Sequence, residues 1–441
     1  MLYFFCVRLI AGRTGATMAN NALQVSIAGE RTGVVKQDAN GSLSFSYFEN
    51  YAGVPLSLAM PVSNKVFGDK LVRPFLFGLL PDSLEVRRSL GREWGVSADN
   101  PFALLAHIGL DCPGAVQLCL QNEEERLSQR ESALVPITDA EIAARLARGR
   151  GNRRARWETS QERWSLGGQQ AKFALRREGD AWFSCEGAAA TTHIFKPGIA
   201  DVRLSALNEF VCLKLARACG LPACEVAYEM FAGEPAIIAT RYDRARNGQG
   251  DVVRLHQEDF CQVLGILPER KYPEEGGPGA RDIVAVCKRA GEPAARNLAQ
   301  FMDMLFFNYL IGAPDAHGKN YSLLLGLSDA YLAPLYDVAS LLPYAERPFD
   351  IKLAMGVAGE NRVGRLSTRR LGKFAADNGL EEFGLTGDVL AGKMAVLAKR
   401  IPGTLDEVLT DHSTLPGIDE LGSRLHPLIA ELCERSLARL G

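Results

Sequence analysis

The sequence predicts an α+β chain in which a small β-rich region comes first, a region of strands around one helix follows, and a mainly helical half closes the chain. Three observations predict this order. Apolar residues alternate with period two between Leu23 and Tyr47, strand-like runs flank a single helix-like run between Gln170 and Arg244, and helical spacing dominates from Gln257 onward.

The first element is the run LQVSIAGERTGVVKQDANGSLSFSY (23–47), whose alternation and turn residues at Asp38 to Ser42 predict two or three antiparallel strands. From Arg73 to Ala106 the spacing of Phe75, Leu79, Leu80, Val86, Leu90, Phe102, Leu104 and Leu105 predicts packed helices, and GAVQLCL (114–120) returns to a strand. Thr138 followed by Glu141 fits a capping box, because hydroxyl and carboxylate can each satisfy an orphan backbone N–H. The helix it opens runs into Arg145, Arg148, Arg150, Arg153, Arg154 and Arg156, read as a surface connection, with a patch for an acidic partner or nucleic acid as the alternative. Beyond it, QAKFALRREGDAWFSCE (170–186) and TTHIFKP (191–197) read as strands. LSALNEFVCLKLARACG (204–220) reads as an amphipathic helix stopped by Gly220 and Pro222. CEVAYEMFAG (224–233) and PAIIATRYDR (235–244) are two further strands, and NLAQFMDMLFFNYLIG (297–312) is the clearest helix of the last half. These readings divide the chain into an extension (1–17), an amino-terminal α+β subdomain (18–137), a basic helix and linker (138–160), a strand-rich small lobe (161–255) and a helical large lobe (256–441).

Composition narrows the function classes. With 441 residues, 47% of them hydrophobic, the chain has apolar material for a large core and a length that suits roughly two or three domains. A formal net charge of −2 leaves no global footprint for nucleic acid. The ten cysteines form no CxxC pair and suit reduced, buried thiols in a cytosolic protein. The opening stretch LYFFCV is interrupted by Arg8, too short for a signal core or a spanning helix, so Met1 to Thr17 reads as an extension upstream of the fold and no membrane partner is expected.

The chemistry concentrates in Asp315-Ala-His-Gly-Lys-Asn320, which directly follows the apolar helix and precedes Asp337 by seventeen residues counted from Asn320. Protein kinases set a catalytic Asp five residues ahead of a magnesium-binding Asn, with a second metal-binding Asp downstream, and Asp315, Asn320 and Asp337 repeat that order. The types are those the reaction needs: a carboxylate to receive the acceptor hydroxyl, and hard oxygens to hold magnesium against phosphates. Lys319 adds positive charge for the transferred group. His317 is read as ordering the loop or touching phosphate, with acid–base chemistry as the alternative. Taken alone, DAHGKN is also a plain polar loop capping a helix. Upstream, Ser165-Leu166-Gly167-Gly168 offers small residues and backbone N–H groups to phosphates, and Lys172 follows it. Lys196 closes a strand ahead of a helix bearing Glu209, in the manner of a kinase lysine and its pairing glutamate. A single strand lysine is more commonly a surface group; the order of the parts is what carries the kinase reading. His107, His193, His256, His412 and His426 have no ligand spacing and read as structural.

Ten blocks, PLSLAMP (55–61), LLPDS (79–83), HIGLDCPGAV (107–116), SLGGQQAKFAL (165–175), TTHIFKP (191–197), RYDR (241–244), KYPEEGGPG (271–279), DAHGKN (315–320), YDVAS (336–340) and KLAMG (352–356), occur in the order seen in one family. After Met18 the chain resembles the HipA family, the kinase toxins of bacterial type II toxin–antitoxin modules. The resemblance implies a protein-kinase-like, distantly lipid-kinase-like fold of two lobes, with ATP and Mg2+ as cofactors. It implies Asp315 as catalytic base, Asn320 and Asp337 as metal ligands, Lys196 as phosphate-binding lysine, and Thr240 with Tyr242 as the adenine hinge. Ser165 matches the serine such kinases autophosphorylate to switch themselves off; a phosphoserine carries about −1.5 to −2 charge and conflicts with ATP phosphates at that place. The partners it implies are a HipB-like helix-turn-helix antitoxin, operator DNA reached mainly through that antitoxin, and an aminoacyl-tRNA synthetase substrate, glutamyl-tRNA synthetase being the best known. Its phosphorylation would block translation and lead to growth arrest and persistence. Two departures stand out: Thr240 replaces an acidic hinge residue, and Gln170-Ala171-Lys172 replaces the commoner Gln-Glu-Lys. The competing readings are a small-molecule kinase using the same nucleotide site, and a non-catalytic corepressor scaffold holding the antitoxin and DNA.

Overall fold

The computed structural model of the protein describes residues 21–127, 132–151 and 164–441. The expected extension at 1–17, and Arg153, Arg154 and Arg156 of the arginine run, lie outside the described residues.

The alternation near the amino terminus produces an antiparallel sheet of order β3-β2-β1-β4, from β1 (Ala22–Ile27), β2 (Glu30–Gln37), β3 (Leu43–Tyr47) and β4 (Val116–Leu120). The Asp38 carboxylate accepts the N–H groups of Asn40 and Ser42, which closes the expected turn between β2 and β3. Helices α1 (Asp69–Gly78), α2 (Leu84–Trp94) and α3 (Pro101–Ile108) cover this sheet, burying Phe75, Leu76, Leu104 and Leu105 against Leu23, Val25 and Phe45. Ser83 and Asn100 cap α2 and α3 with their side chains, as residues placed ahead of helical runs should.

The second unit is a six-stranded antiparallel sheet of order β5-β7-β6-β8-β10-β9, formed by β5 (Ala133–Pro136), β6 (Phe173–Glu178), β7 (Ala181–Glu186), β8 (His193–Lys196), β9 (Val226–Phe231) and β10 (Glu234–Thr240). Its two faces are covered by different helices, because successive strand residues point to opposite sides. Ile238 and Phe195 pack with Ile142 and Leu146 of α4 (Asp139–Gly151), while Ile237 joins the core beneath α5 (Ser205–Ala218). The capping box forms at Thr138 and Glu141. Two expectations change here. Residues 133–151 are part of this sheet unit and not a linker: Arg145 lies over the Phe173 ring and donates to Ser184, and Arg150 pairs with Glu234. Helix α5 is also less amphipathic than its pattern, since Asn208 and Glu209 are buried with the apolar residues.

A small hairpin, β11 (Arg244–Arg246) and β12 (Val252–Arg254), leads to the large lobe. There β13 (Gln257–Asp259), β14 (Ser322–Leu325) and β15 (Ala330–Leu332) form an antiparallel sheet beside α6 (Phe260–Val263), α7 (Ala280–Cys287) and α8 (Ala294–Ile311). Helix α8 is buried along most of its length and becomes the core of the lobe, packed by α10 (Gly387–Asp411) and α11 (Ile418–Leu440), with α9 (Thr368–Asp377) outside them. The nine described cysteines are free and buried. No described helix is long and apolar enough to cross a membrane.

A buried ionic network ties the amino-terminal subdomain to the six-stranded sheet unit and the β11–β12 hairpin. Asp111, in the loop before β4, accepts from Arg244 at 2.9 Å, Arg254 at 2.8 Å and the Thr191 hydroxyl at 2.7 Å, and Arg241 lies between it, at 3.4 Å, and Asp243, at 2.7 Å. Burial works against the Asp111 charge, but the arginines outweigh it and hold its carboxyl well below the usual range. Removing one member would leave the others uncompensated, which for buried pairs costs about 3–5 kcal/mol.

Candidate active site

The sheet units and the large lobe enclose a cleft of about 800 Å³, lined by Leu166, Gly167, Gly168, Lys172, Lys196, Glu209, Thr240, Tyr242, Asp315, His317, Lys319, Asn320 and Asp337. These residues come from positions more than 170 apart in the chain and include nearly every residue singled out from the sequence.

At the inner end, Lys196 finishes β8 and its ammonium donates to Glu209 Oε1 and to Asp337 Oδ1, both at 2.6 Å. Burial opposes the lysine charge, but Asp337 and Glu209 outweigh it and lift its pKa above the usual lysine value. Glu209 is raised, chiefly by its own burial, whereas Asp337 is held down because Lys196 and Lys172 overcome the burial it also suffers. Asp337 sits at φ +56°, a left-handed conformation uncommon for a residue with a side chain and costing about 1–3 kcal/mol. The turn that imposes it brings the carboxylate to Lys196.

The loop Ser165–Gly168 precedes β6 and is docked on the amino-terminal subdomain. The Ser165 hydroxyl donates to Leu79 O at 2.6 Å, its N–H donates to Asp111 O at 3.0 Å, and the residue is 1% exposed. Gly168 adopts φ +100°, and a Cβ there would run into the Lys172 ammonium. Lys172 donates to Gly167 O at 2.8 Å; burial pulls its pKa down to about 8 against the attraction of Asp337.

The short turn Gly318–Asn320 builds the third side. His317 caps it, its Nδ1 accepting the Lys319 N–H at 3.3 Å, and burial, reinforced by Lys271, pulls its pKa down to about 4. A neutral, enclosed imidazole in this role orders the loop. The Asn320 amide donates to Asp315 O at 2.6 Å, which leaves its carbonyl oxygen as a donor atom. The Asp315 carboxylate is 63% exposed, with Oδ1 accepting the Tyr272 phenol at 2.5 Å. Asn320 and Asp337 thus each offer a hard oxygen on the lining of one cleft. Among the described residues there is no group of three His, Cys, Asp or Glu that could hold a metal, and a pair suits Mg2+, which takes one or two protein ligands and completes its shell with phosphates and water. Thr240 ends β10, and Tyr242 stacks on Tyr336 while its phenol donates to Gln257 at 2.5 Å.

Sequence reasoning missed Asp82, in LLPDS between α1 and α2. Its carboxylate reaches Lys319 at 2.7 Å, Lys271 at 3.2 Å and the Gly168 N–H at 3.3 Å. Tyr272, on the Asp315 carboxylate, was missed as well. The blocks LLPDS and KYPEEGGPG were visible as family segments, but nothing local says which of their residues turn into the cleft.

Comparisons with known proteins give the chain its family. A family model described as the HipA N-terminal domain matches residues 23–119, and one described as the HipA-like C-terminal domain matches residues 164–401. Y4mE of Sinorhizobium fredii, whose name designates it a kinase, is 34% identical over 378 residues, covering 82% of this chain and 87% of its own. The serine/threonine-protein kinase toxin HipA of Shewanella oneidensis is 31% identical over 382 residues, covering 84% of this chain and 83% of its own. A chain of the solved complex of Shewanella oneidensis HipA, HipB and operator DNA superposes with a TM-score of 0.79 at 26% identity, over 94% of this chain and 97% of that one.

Proposed function

Because the chain belongs to the HipA family of serine/threonine-protein kinase toxins, we propose that its cleft binds ATP with Mg2+ and phosphorylates an aminoacyl-tRNA synthetase, glutamyl-tRNA synthetase foremost. The observation that carries the ATP reading is the Lys196 ammonium held between Glu209 and Asp337, 2.6 Å from each, in the cleft that Asn320 also lines. In kinases this lysine–glutamate pair and the metal-binding aspartate must both be in place for transfer.

Asn320 and Asp337 would hold Mg2+, which would supply charge to neutralise the phosphates. Lys196 presents its fixed ammonium to them, and Lys172 and Lys319 flank the loop Ser165–Gly168 that receives them. Tyr272 holds Asp315 Oδ1, so Oδ2 accepts the acceptor hydroxyl and takes its proton. The acceptor oxygen bonds to the terminal phosphorus as the bond to the ADP oxygen breaks. Thr240 and Tyr242 border the space for the base. Autophosphorylation at Ser165 switches the enzyme off: in the docked loop the hydroxyl is enclosed at Leu79 O, so the loop must leave before phosphate can enter, and afterwards cannot return.

The chain works in the cytoplasm as the toxin of a type II module, neutralised by a HipB-like helix-turn-helix antitoxin that brings it to operator DNA. Its likeness to the HipA chain of a HipA–HipB–operator complex supports that partnership. The test is intact-mass and phosphosite analysis of wild-type and Asp337→Ala protein incubated with MgATP, with and without glutamyl-tRNA synthetase. Phosphate on Ser165 and on the synthetase with wild-type protein alone is the expected result; a folded, unphosphorylated wild-type sample that transfers to neither rules the reading out.

A further inference from the structure

Asp82 belongs to the amino-terminal subdomain, outside every motif of the kinase machinery, yet its side chain is 4% exposed at the floor of the cleft. Three separate segments converge on it. Oδ1 accepts from Lys319 Nζ of the DAHGKN turn at 2.7 Å and from the Gly168 N–H of the phosphate loop at 3.3 Å; Oδ2 accepts from Lys271 Nζ at 3.2 Å. The Asp82 N–H returns a bond to Gly168 O at 3.1 Å, so the loop is gripped by backbone and side chain at one residue.

The electrostatics show why a carboxylate is needed there. Two ammonium groups face one carboxylate, and without its charge they would repel each other in a poorly solvated place. The remaining acid near Lys319 is Asp259, at 3.9 Å, whose burial pushes its carboxyl upward and makes it a weaker counter-ion. The Lys319 ammonium also lies against the loop, since a Cβ on Gly167 would stand 3.5 Å from Nζ. Asp82 therefore sets both where the loop sits and where the ammonium beneath it points.

We propose that Asp82 is a positioning residue for phosphoryl transfer, the part of the active site supplied by the amino-terminal subdomain, acting through Lys319 and the phosphate loop. This rests on the reading that Lys319 and the loop face the nucleotide phosphates. A fixed charge lowers a barrier only if it is already aimed where charge develops. A mere structural staple, once lost, lowers stability or weakens ATP binding; a positioning residue lowers turnover with ATP saturating.

The experiment is a double-mutant cycle on the full chain, reading kcat and KM for MgATP with the synthetase as acceptor, and melting curves alongside. Asp82→Asn keeps the size and an oxygen for Gly168 but removes the charge. The expected result is a fall in kcat of about 30-fold or more with KM for ATP changed by less than about threefold, a similar fall for Lys319→Met, and a double variant within about twofold of Lys319→Met alone. If Asp82→Asn does not fold, Asp82→Asn with Lys271→Met removes the surplus cation and takes its place. A folded Asp82→Asn protein with kcat within about twofold of wild type overturns the inference, as do effects that multiply in the double variant. A wild-type chain inert toward every acceptor overturns the kinase reading and this inference with it, so the two failures are distinct.

Discussion

Asp315 and Lys196 are both charged groups of the cleft, but they differ in what their removal does. Asp315 is largely exposed and gives up one hydrogen bond from Tyr272, so Asp315→Ala should leave the melting temperature within about 2 °C while reducing phosphoryl transfer by about 100-fold or more. Single-turnover transfer and a thermal melt check this together. Lys196 is enclosed between two carboxylates, so Lys196→Met should abolish transfer and also cost about 3–5 kcal/mol in a denaturant titration, because Glu209 and Asp337 are left buried and uncompensated. These residues could be read from the sequence because kinase chemistry fixes short spacings: five residues from Asp315 to Asn320, and one strand and one helix from Lys196 to Glu209. Asp82 could not. Its partners lie 86 and 237 residues away, and no local pattern encodes a contact at that separation.

Among the elements, the phosphate loop is the one whose placement has a built-in consequence. Ser165→Ala removes a single buried hydrogen bond, worth about 1 kcal/mol, and should leave ATP affinity within about threefold while abolishing incorporation at that position. Ser165→Glu cannot place a charged group against Leu79 O, so it should undock the loop and weaken ATP binding by about tenfold or more. A fluorescence titration with a nucleotide analogue separates the two; equal affinities for both variants would contradict the docking argument. At this scale the sequence was legible where periodicity was clean. Strands β1 to β3 and helix α8 fall where alternation and apolar spacing put them. It was misleading where polarity serves a tertiary purpose. The arginines of α4 looked like a solvated connection, yet Arg145 and Arg150 are anchored on the six-stranded sheet; α5 read as a plain amphipathic helix, yet Asn208 is buried among its apolar residues and donates to Ser340 O.

For the whole molecule, the seams between units carry its pH response. Glu258, on β13, accepts from the Ser57 hydroxyl at 2.6 Å and the Leu58 N–H at 2.7 Å, and burial lifts its pKa to about 8. The folded chain keeps that proton up to about pH 8 and the unfolded chain releases it near 4.5. Stability from this group therefore falls by about 1.4 kcal/mol per pH unit across that interval as pH rises. His193, His256 and His317, each pulled down to about 4 chiefly by burial, act in the other direction: the unfolded chain takes up protons below about 6.5 that the folded chain refuses, so stability drops as pH falls from there. The melting temperature should peak near pH 6.5, and Glu258→Gln should flatten its decline from 6.5 to 8; an unchanged decline would show that Glu258 is not its source. The two-lobed division was foreseeable from composition and order, whereas the Asp111 and Glu258 seams were not, since each joins residues that are strangers in sequence. The same topology governs when activity can first exist. The cleft draws on residues from Asp82 to Asp337, and α8, which supports the Asp315 turn, is packed by α10 and α11 from the last quarter of the chain. A ribosome adds about 5–20 residues per second, so a nascent chain spends tens of seconds with its first subdomain out and its cleft unbuilt. Synthesis thus ends before the enzyme begins, and the translating ribosome is not exposed to the finished activity of the chain it is still making.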